Sequence, residues 1–243
     1  MKLIFIRHGD PNYAIDSLTE KGWREAHLLA DRVTKWDVDY FYCSPLGRAR
    51  DTAKETLSRM GRTAEICDWL QEFAIGAYDP GRTGTRPIPW DYFPRYWTEN
   101  PNFYTKDRWT EAECYDVDHV RRCYEQVTGA FDELLLRHGY RREGGLYRVE
   151  RPNTDTLVFF CHLGSQFVLL SHLLGVSPVL LWQGAFVHPT SVTVACSEER
   201  EPGAAVFRVK RIGDISHLYV AGEAPSDSGF FEEIRSHDDP SGN

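Results

Sequence analysis

Residues 156–161, Thr-Leu-Val-Phe-Phe-Cys, run for six positions without a charged side chain. A half-buried strand alternates apolar and polar residues, so this run reads as a strand covered on both faces. Such a strand needs helices above and below its sheet, and the rest of the chain supplies them. Lys2–Ile6 and Val38–Cys43 are further apolar strand-forming runs, with a short strand expected at Thr63–Cys67. Between them, Thr19 is placed to cap a helix carrying Trp23, Ala26, Ala30 and Val33 at helical spacing. Ser44-Pro45 offers a second start, Ser as cap and Pro in the first turn, for a helix through Ala49, Ala53 and Leu57 that Gly61 would stop. A third helix begins near Asp116, sets Val117, Val120, Tyr124, Val127, Phe131 and Leu134 on one face, and ends at Gly139. A fourth, about Gly164–Leu174, follows the buried strand; Gly144-Gly145 marks a turn, and Ser191–Cys196 and Ala205–Arg211 read as a later strand pair. This alternation implies an α/β fold, doubly wound, with a mainly parallel sheet and helices on both faces.

Residues 73–110 break the order. Pro80, Gly81, Gly84, Pro87, Pro89, Pro94 and Pro101 are interleaved with Trp90, Tyr92, Phe93, Tyr96, Trp97, Phe103 and Tyr104. The stretch is too aromatic for a disordered linker, so an ordered insertion that covers something is expected. Its aromatics read first as a local mini-core. Its basic residues Arg82, Arg86, Arg95, Lys106 and Arg108 stay open as substrate contacts or solvated charges. The chain of 243 residues is then one domain, 1–243, with an insertion or cap at about 73–110.

The net charge of −8 carries no basic footprint for nucleic acid, so any anionic ligand must be held by a local arginine cluster. Met1–Ile6 is apolar but only one strand long before Arg7, so no membrane segment is expected. The six cysteines are scattered with no CxxC pair, which fits neither a zinc site nor a disulfide scaffold and suggests a reducing cytoplasm.

In sheets of this kind, ligands bind beyond the carboxyl ends of the strands. Arg7-His8, Ser44 to Arg48 and His162 all stand there. A neutral histidine whose other nitrogen is held can attack phosphorus, which His8 is placed to do. Arg7 and Arg48 suit the oxygens of a transferring phosphoryl group, and Arg48 falls in the first turn of its helix. Gly9 lets the loop backbone come close to the ligand, and His162 offers a further donor. A carboxylic acid must still protonate the leaving oxygen. No GxxxxGK is present, and His27, His119, His138, His172, His188, His217 and His237 form no ligand pair, so they read as structural.

Four segments carry a family resemblance. Leu3-Ile4-Phe5-Ile6-Arg7-His8-Gly9 resembles the signature of the histidine phosphatase superfamily, also called phosphoglycerate-mutase-like. Leu18-Thr19-Glu20-Lys21-Gly22 resembles its LTxxG helix entry, and Ser44 to Ala53 its SPxxRAxxTA segment. Phe159-Phe160-Cys161-His162-Leu163-Gly164 resembles the strand with its second histidine, and the likeness covers about 1–72 and 111–220. The resemblance implies that His8 becomes a phosphohistidine while Arg7, Arg48 and His162 bind the phosphoryl group. Glu72, in Leu70-Gln71-Glu72, matches the position that supplies the acid, with Asp79, Glu111 and Glu113 as nearby alternatives.

No metal and no cofactor are implied. The expected substrate is a small phosphorylated metabolite and the expected reaction its hydrolysis. The alternatives are a phosphomutase or a non-catalytic interaction domain, and self-association stays open. Two positions depart from the pattern: Phe73-Ala74-Ile75-Gly76 replaces the arginine and tyrosine turn of the mutases, and Leu163 separates His162 from Gly164.

Overall fold

Eight strands share one sheet in the computed structural model, which describes residues 1–78, 85–86 and 88–231. The chain runs through β1 (Lys2–Arg7), a small pair β2 (Pro11–Asn12) and β3 (Ser17–Leu18), α1 (Glu20–Val33), β4 (Tyr40–Cys43), α2 (Gly47–Met60) and β5 (Glu65–Ile66). A second small pair, β6 (Ala77–Tyr78) and β7 (Thr85–Arg86), is followed by α3 (Pro94–Glu99). Next come α4 (Val117–Arg137), β8 (Tyr140–Glu143), β9 (Leu146–Val149), β10 (Thr156–Cys161), α5 (Leu163–Leu174) and α6 (Pro178–Gly184). The long strands β11 (Val192–Glu201) and β12 (Ala204–Asp214) and the short helix α7 (Ser216–Ala221) complete the described elements.

The sheet order is β5-β4-β10-β1-β11-β12-β9-β8. From β5 to β1 every pairing is parallel, and this half carries the α/β pattern expected from the sequence. Beyond β1 every pairing is antiparallel. That half is made by two hairpins, β8–β9 and β11–β12, which turn at once through Gly144 (φ 58°) and Gly203 (φ 79°) and leave no length for a crossover helix.

β10 lies at the centre of the parallel half with all six residues buried. Its odd-numbered side chains Leu157, Phe159 and Cys161 join Leu3 and Phe5 against Phe131 and Leu134 of α4 and Phe167 of α5. Its even-numbered side chains Val158 and Phe160 join Ile4 and Ile6 against Leu29 and Val33 of α1 and Ala49 and Ala53 of α2. Each of these large side chains contributes roughly 1.5–3 kcal/mol on leaving water, so both faces are strongly held. Helices therefore cover both faces, as the uninterrupted apolar run requires.

Local signals place the starts of α1 and α4. Thr19 caps α1 by accepting from the Gly22 N–H at 3.1 Å, and Asp116 caps α4 through the His119 N–H at 3.1 Å. α2 differs from the expectation: it starts at Gly47 after Leu46, two residues later than a Ser44 cap would set it. Ser44 lies within reach of the Leu46 N–H at 3.3 Å, but its hydroxyl also meets His162, and that tertiary contact outweighs the local capping signal.

The insertion aromatics do not form a separate mini-core. Tyr92, Phe103 and Trp109 are buried in the same core as Phe131 and Phe167, and Trp109 meets Trp182 of α6 edge-on at 5.5 Å. Lys106 and Arg108 make exposed pairs with Asp107 (3.0 Å) and Glu111 (3.2 Å), worth at most about 1 kcal/mol each, and Arg95 is exposed. Asp79, Arg82, His237, the side chain of Arg86 and the polar end 236–243 lie outside the described residues. Among the described residues no helix is long and apolar enough to cross a membrane, and all six cysteines are unpaired thiols.

Candidate active site

The carboxyl ends of β1, β4 and β10 bring Arg7, His8, Ser44 and His162 to one edge of the sheet, all buried. The His8 ring is oriented by its own loop: Nδ1 lies 2.8 Å from the Gly9 carbonyl oxygen. A carbonyl only accepts, so Nδ1 carries the proton and Nε2 keeps its lone pair. Burial, together with the Arg7 and Arg48 charges, holds the His8 pKa well below the usual value, so the ring is neutral at pH 7. An imidazole in that state is a nucleophile.

The His162 ring lies 5.1 Å from that of His8, tilted by 57°. Its Nε2 is 2.8 Å from Ser44 Oγ. With the Ser44 hydroxyl donating to Nε2, Nδ1 carries the ring proton and is the donor on the other side of the ring. That Nδ1 is buried and has no hydrogen-bond partner among the described residues. Burial, then the charges of His8, Arg48 and Arg7, hold the His162 pKa well below normal as well.

Arg7 is fixed by two backbone carbonyls from distant segments, Val187 O on Nη1 and Ser228 O on Nη2, each at 2.6 Å. Arg48 gives Nη1 to Asp16 Oδ1 at 2.7 Å, which leaves its Nε and Nη2 edge for another acceptor. Both arginine Nε atoms are buried and unpartnered among the described residues. A buried donor left unpaired costs about 1–3 kcal/mol, so two Nε–H groups and the His162 Nδ1–H form a cradle that an oxyanion would satisfy.

Glu72 accepts at Oε1 from the Phe73 and Ser165 N–H groups, each at 2.9 Å. Burial raises its pKa above the ordinary carboxylate value, while these backbone donors and Arg7 act in the opposite direction. The glycine displaced by Leu163 is still needed here. A Cβ on Gly164 would stand 2.3 Å from the Trp90 ring and 2.7 Å from Glu72 Oε1, so Gly164 lets Trp90 close over the carboxyl group. Glu111 is engaged with Arg108 and Arg121 on the surface.

Gly9 has a structural partner the sequence did not reveal. Its Cβ would stand 2.9 Å from the Gly22 carbonyl oxygen, and a Cβ on Gly22 would stand 2.3 Å from the Asp10 oxygen. The two glycines thus pack the loop of His8 directly on the first turn of α1. Thr190, not singled out from the sequence, holds a left-handed φ of 57° and donates its N–H to the Arg7 and His8 carbonyls at 3.0 and 3.2 Å. Asp16, the partner of Arg48, was likewise not singled out from the sequence.

Glu25 supports the same loop from beneath. It is fully buried, accepts from the Asp10 N–H at 2.9 Å, and burial pushes its carboxyl up to about 7. A raised acid contributes stability below its unfolded pKa, near 4.3, and loses it as pH rises through the folded value. Between pH 4.5 and pH 8 the wild type should lose about 3 kcal/mol relative to Glu25→Gln. Urea melts across that range check this; an offset independent of pH would place the titration elsewhere.

A larger cleft of about 890 Å³ passes Lys2, Asp39 and Thr156 at the opposite, amino ends of the same strands, so size alone does not locate the chemistry.

Phosphoserine phosphatase 1 of Hydrogenobacter thermophilus is 26% identical over 154 residues, which span 57% of this chain and 66% of that protein, just short of two thirds of its length. A mutant phosphoserine phosphatase of Entamoeba histolytica in complex with phosphoserine superposes with a TM-score of 0.57 at 19% identity, over 89% of this chain and 98% of that one. A mycobacterial glucosyl-3-phosphoglycerate phosphatase in complex with VO3 gives a TM-score of 0.54 at 17% identity, over 87% and 98%. At these identities the structures show a shared fold. The family model for the histidine phosphatase superfamily (branch 1) matches residues 3–210, and the chain belongs to that superfamily.

Proposed function

We propose that the protein hydrolyses the phosphate monoester of a small metabolite through a phosphohistidine on His8, with residues 73–110 capping the site within one domain. The observation that carries this reading is the buried, neutral His8 beside three unpartnered donors on Arg7, Arg48 and His162. In the first step His8 Nε2 forms a bond to phosphorus and the ester P–O bond breaks. The electron pair stays on the leaving oxygen, which takes a proton from Glu72. In the second step water attacks the phosphohistidine and gives its proton to the Glu72 carboxylate, and the N–P bond pair returns to Nε2. The products are the alcohol and inorganic phosphate.

Two arginines and a histidine supply the positive environment, so the mechanism calls for no metal. The curated relative and the structural neighbours carry phosphatase names, which favours hydrolysis over transfer to a second oxygen. The free thiols accord with a cytoplasmic enzyme. A panel of metabolite phosphates assayed with chelator present tests the whole reading. Free phosphate should be released at an undiminished rate. Isomerised product without phosphate release would indicate a mutase, and loss of activity with chelator would require a metal.

A further inference from the structure

A cavity of about 260 Å³ is walled by Trp90, Leu163, Trp182, Phe186, Phe230 and Phe231. It adjoins the reacting groups on several sides. Leu163 directly follows His162, and Trp90 packs on Gly164 beside Glu72. The Phe186 ring centre is 5.5 Å from the Arg7 guanidinium carbon, and Gly229 stands against Arg7 Nη2. Its volume is below the roughly 300 Å³ at which pockets for drug-sized ligands begin, which leaves room for one or two rings.

The segment after α7 is tied down so that it completes this wall. Lys21 Nζ donates to the Ala224 carbonyl, Ser226 Oγ to Asp10 Oδ1 at 2.5 Å, and His188 Nδ1 to the Ser226 carbonyl at 3.0 Å. Arg7 then holds the Ser228 carbonyl, and two residues later Phe230 meets Phe186 edge-on at 5.0 Å. Phe230 and Phe231 remain 59% and 45% exposed, so their rings are held at the cavity with apolar surface still in water. None of the described lining residues is charged. Gln183 also lines the cavity, so a hydroxyl or amide could be met there, but a second carboxylate or phosphate would find no positively charged side chain among the described lining residues.

We propose that this cavity receives the alcohol part of the substrate, and that this part is a flat, uncharged aromatic group of one or two rings. The inference rests on the phosphatase reading above and adds the substrate class. A phosphoryl group lying between His8 and Arg7, with its ester oxygen toward Glu72, sends the attached carbon skeleton between Trp90 and Phe186. There, offset and edge-on ring contacts are favoured. The aromatic walls act as specificity determinants and take no part in the bond changes.

The test compares benzyl phosphate with propyl phosphate, whose leaving alcohols are of similar acidity, and with phosphoserine. Covering the added ring is expected to raise kcat/KM for the benzyl ester roughly 10- to 100-fold over the propyl ester. Phe230→Ala and Phe231→Ala should each cut that ratio several-fold, chiefly through KM for the benzyl ester. A ratio near one, a ratio unmoved by both variants, or a preference for phosphoserine over benzyl phosphate would overturn the proposal. Calorimetric binding of benzylphosphonate against propylphosphonate separates this from the phosphatase reading. If no ester is turned over, hydrolysis falls, yet tighter binding of benzylphosphonate still supports the cavity and equal binding rejects it.

Discussion

Replacing His8 by alanine is expected to lower kcat by on the order of 10⁴-fold and to abolish the acid-labile phosphoenzyme. The size of the effect follows from how little could substitute for it. His162 is the nearest other imidazole, but its Nε2 is engaged by Ser44 and, with the Ser44 hydroxyl donating, its Nδ1 carries the proton. A protonated nitrogen has no lone pair to give. The cradle of Arg7, Arg48 and His162 survives the substitution, so affinity for a phosphate ester should change far less than turnover. Rapid quench with a labelled ester, followed by an acid-lability assay, measures both quantities. Labelled phosphoenzyme persisting in the alanine variant would assign the nucleophile elsewhere, and a wild type that never labels would favour an interaction domain on this scaffold.

The second large effect belongs to Glu72. Glu72→Gln keeps an oxygen that can accept from Phe73 and Ser165 but removes the transferable proton, so kcat should fall by about 10²- to 10⁴-fold for alkyl esters. Aryl esters, whose leaving oxygen needs less protonation, should lose less in the first step. The pH dependence carries a sign. Burial raises the Glu72 pKa, so the acid form persists to higher pH than for a solvated carboxyl. Phosphorylation of His8 should weaken as pH rises through that value, and the glutamine variant should lose this limb. A purely structural role for Glu72 would lower the rate equally for both ester classes and leave the limb in place. An unchanged limb would move the acid to another carboxylate, with Asp79 the next position to test.

Several features of the site were legible because their causes are local. The uninterrupted run at 156–161 demanded cover on both faces, and the structure supplies α1 and α2 on one side and α4 and α5 on the other. Thr19 and Asp116 cap their helices through hydrogen bonds to residues three further along the chain. The strand ends at Arg7, Cys43 and Cys161 placed the histidines and Arg48 on one edge because parallel strands end together. Helix α6 also carries a local signal, Ser177 accepting from the Val179 N–H ahead of Pro178, but too short a periodic stretch follows for a helix to be read from it. In the antiparallel half the strand pair at 191–196 and 205–211 was legible and forms β11–β12, but the β8–β9 hairpin was not, since a turn at Gly144 and Gly145 does not reveal which strand it will join.

From the sequence came the Arg7-His8-Gly9 triplet, its position at a strand end and the need for an acid. Only the tertiary structure decided how each histidine ring is held, which edge of each arginine is left unpartnered, and that burial raises Glu72 and Glu25. The reason is physical. Arg7 is aimed by the carbonyls of Val187 and Ser228, 180 and 221 residues away, and every residue carries a backbone carbonyl, so no side chain announces these contacts. Desolvation belongs to the packed surroundings as a whole. Trp90 closing over Gly164, and Gly22 seated on the loop of His8, set it across gaps in sequence that no local pattern spans.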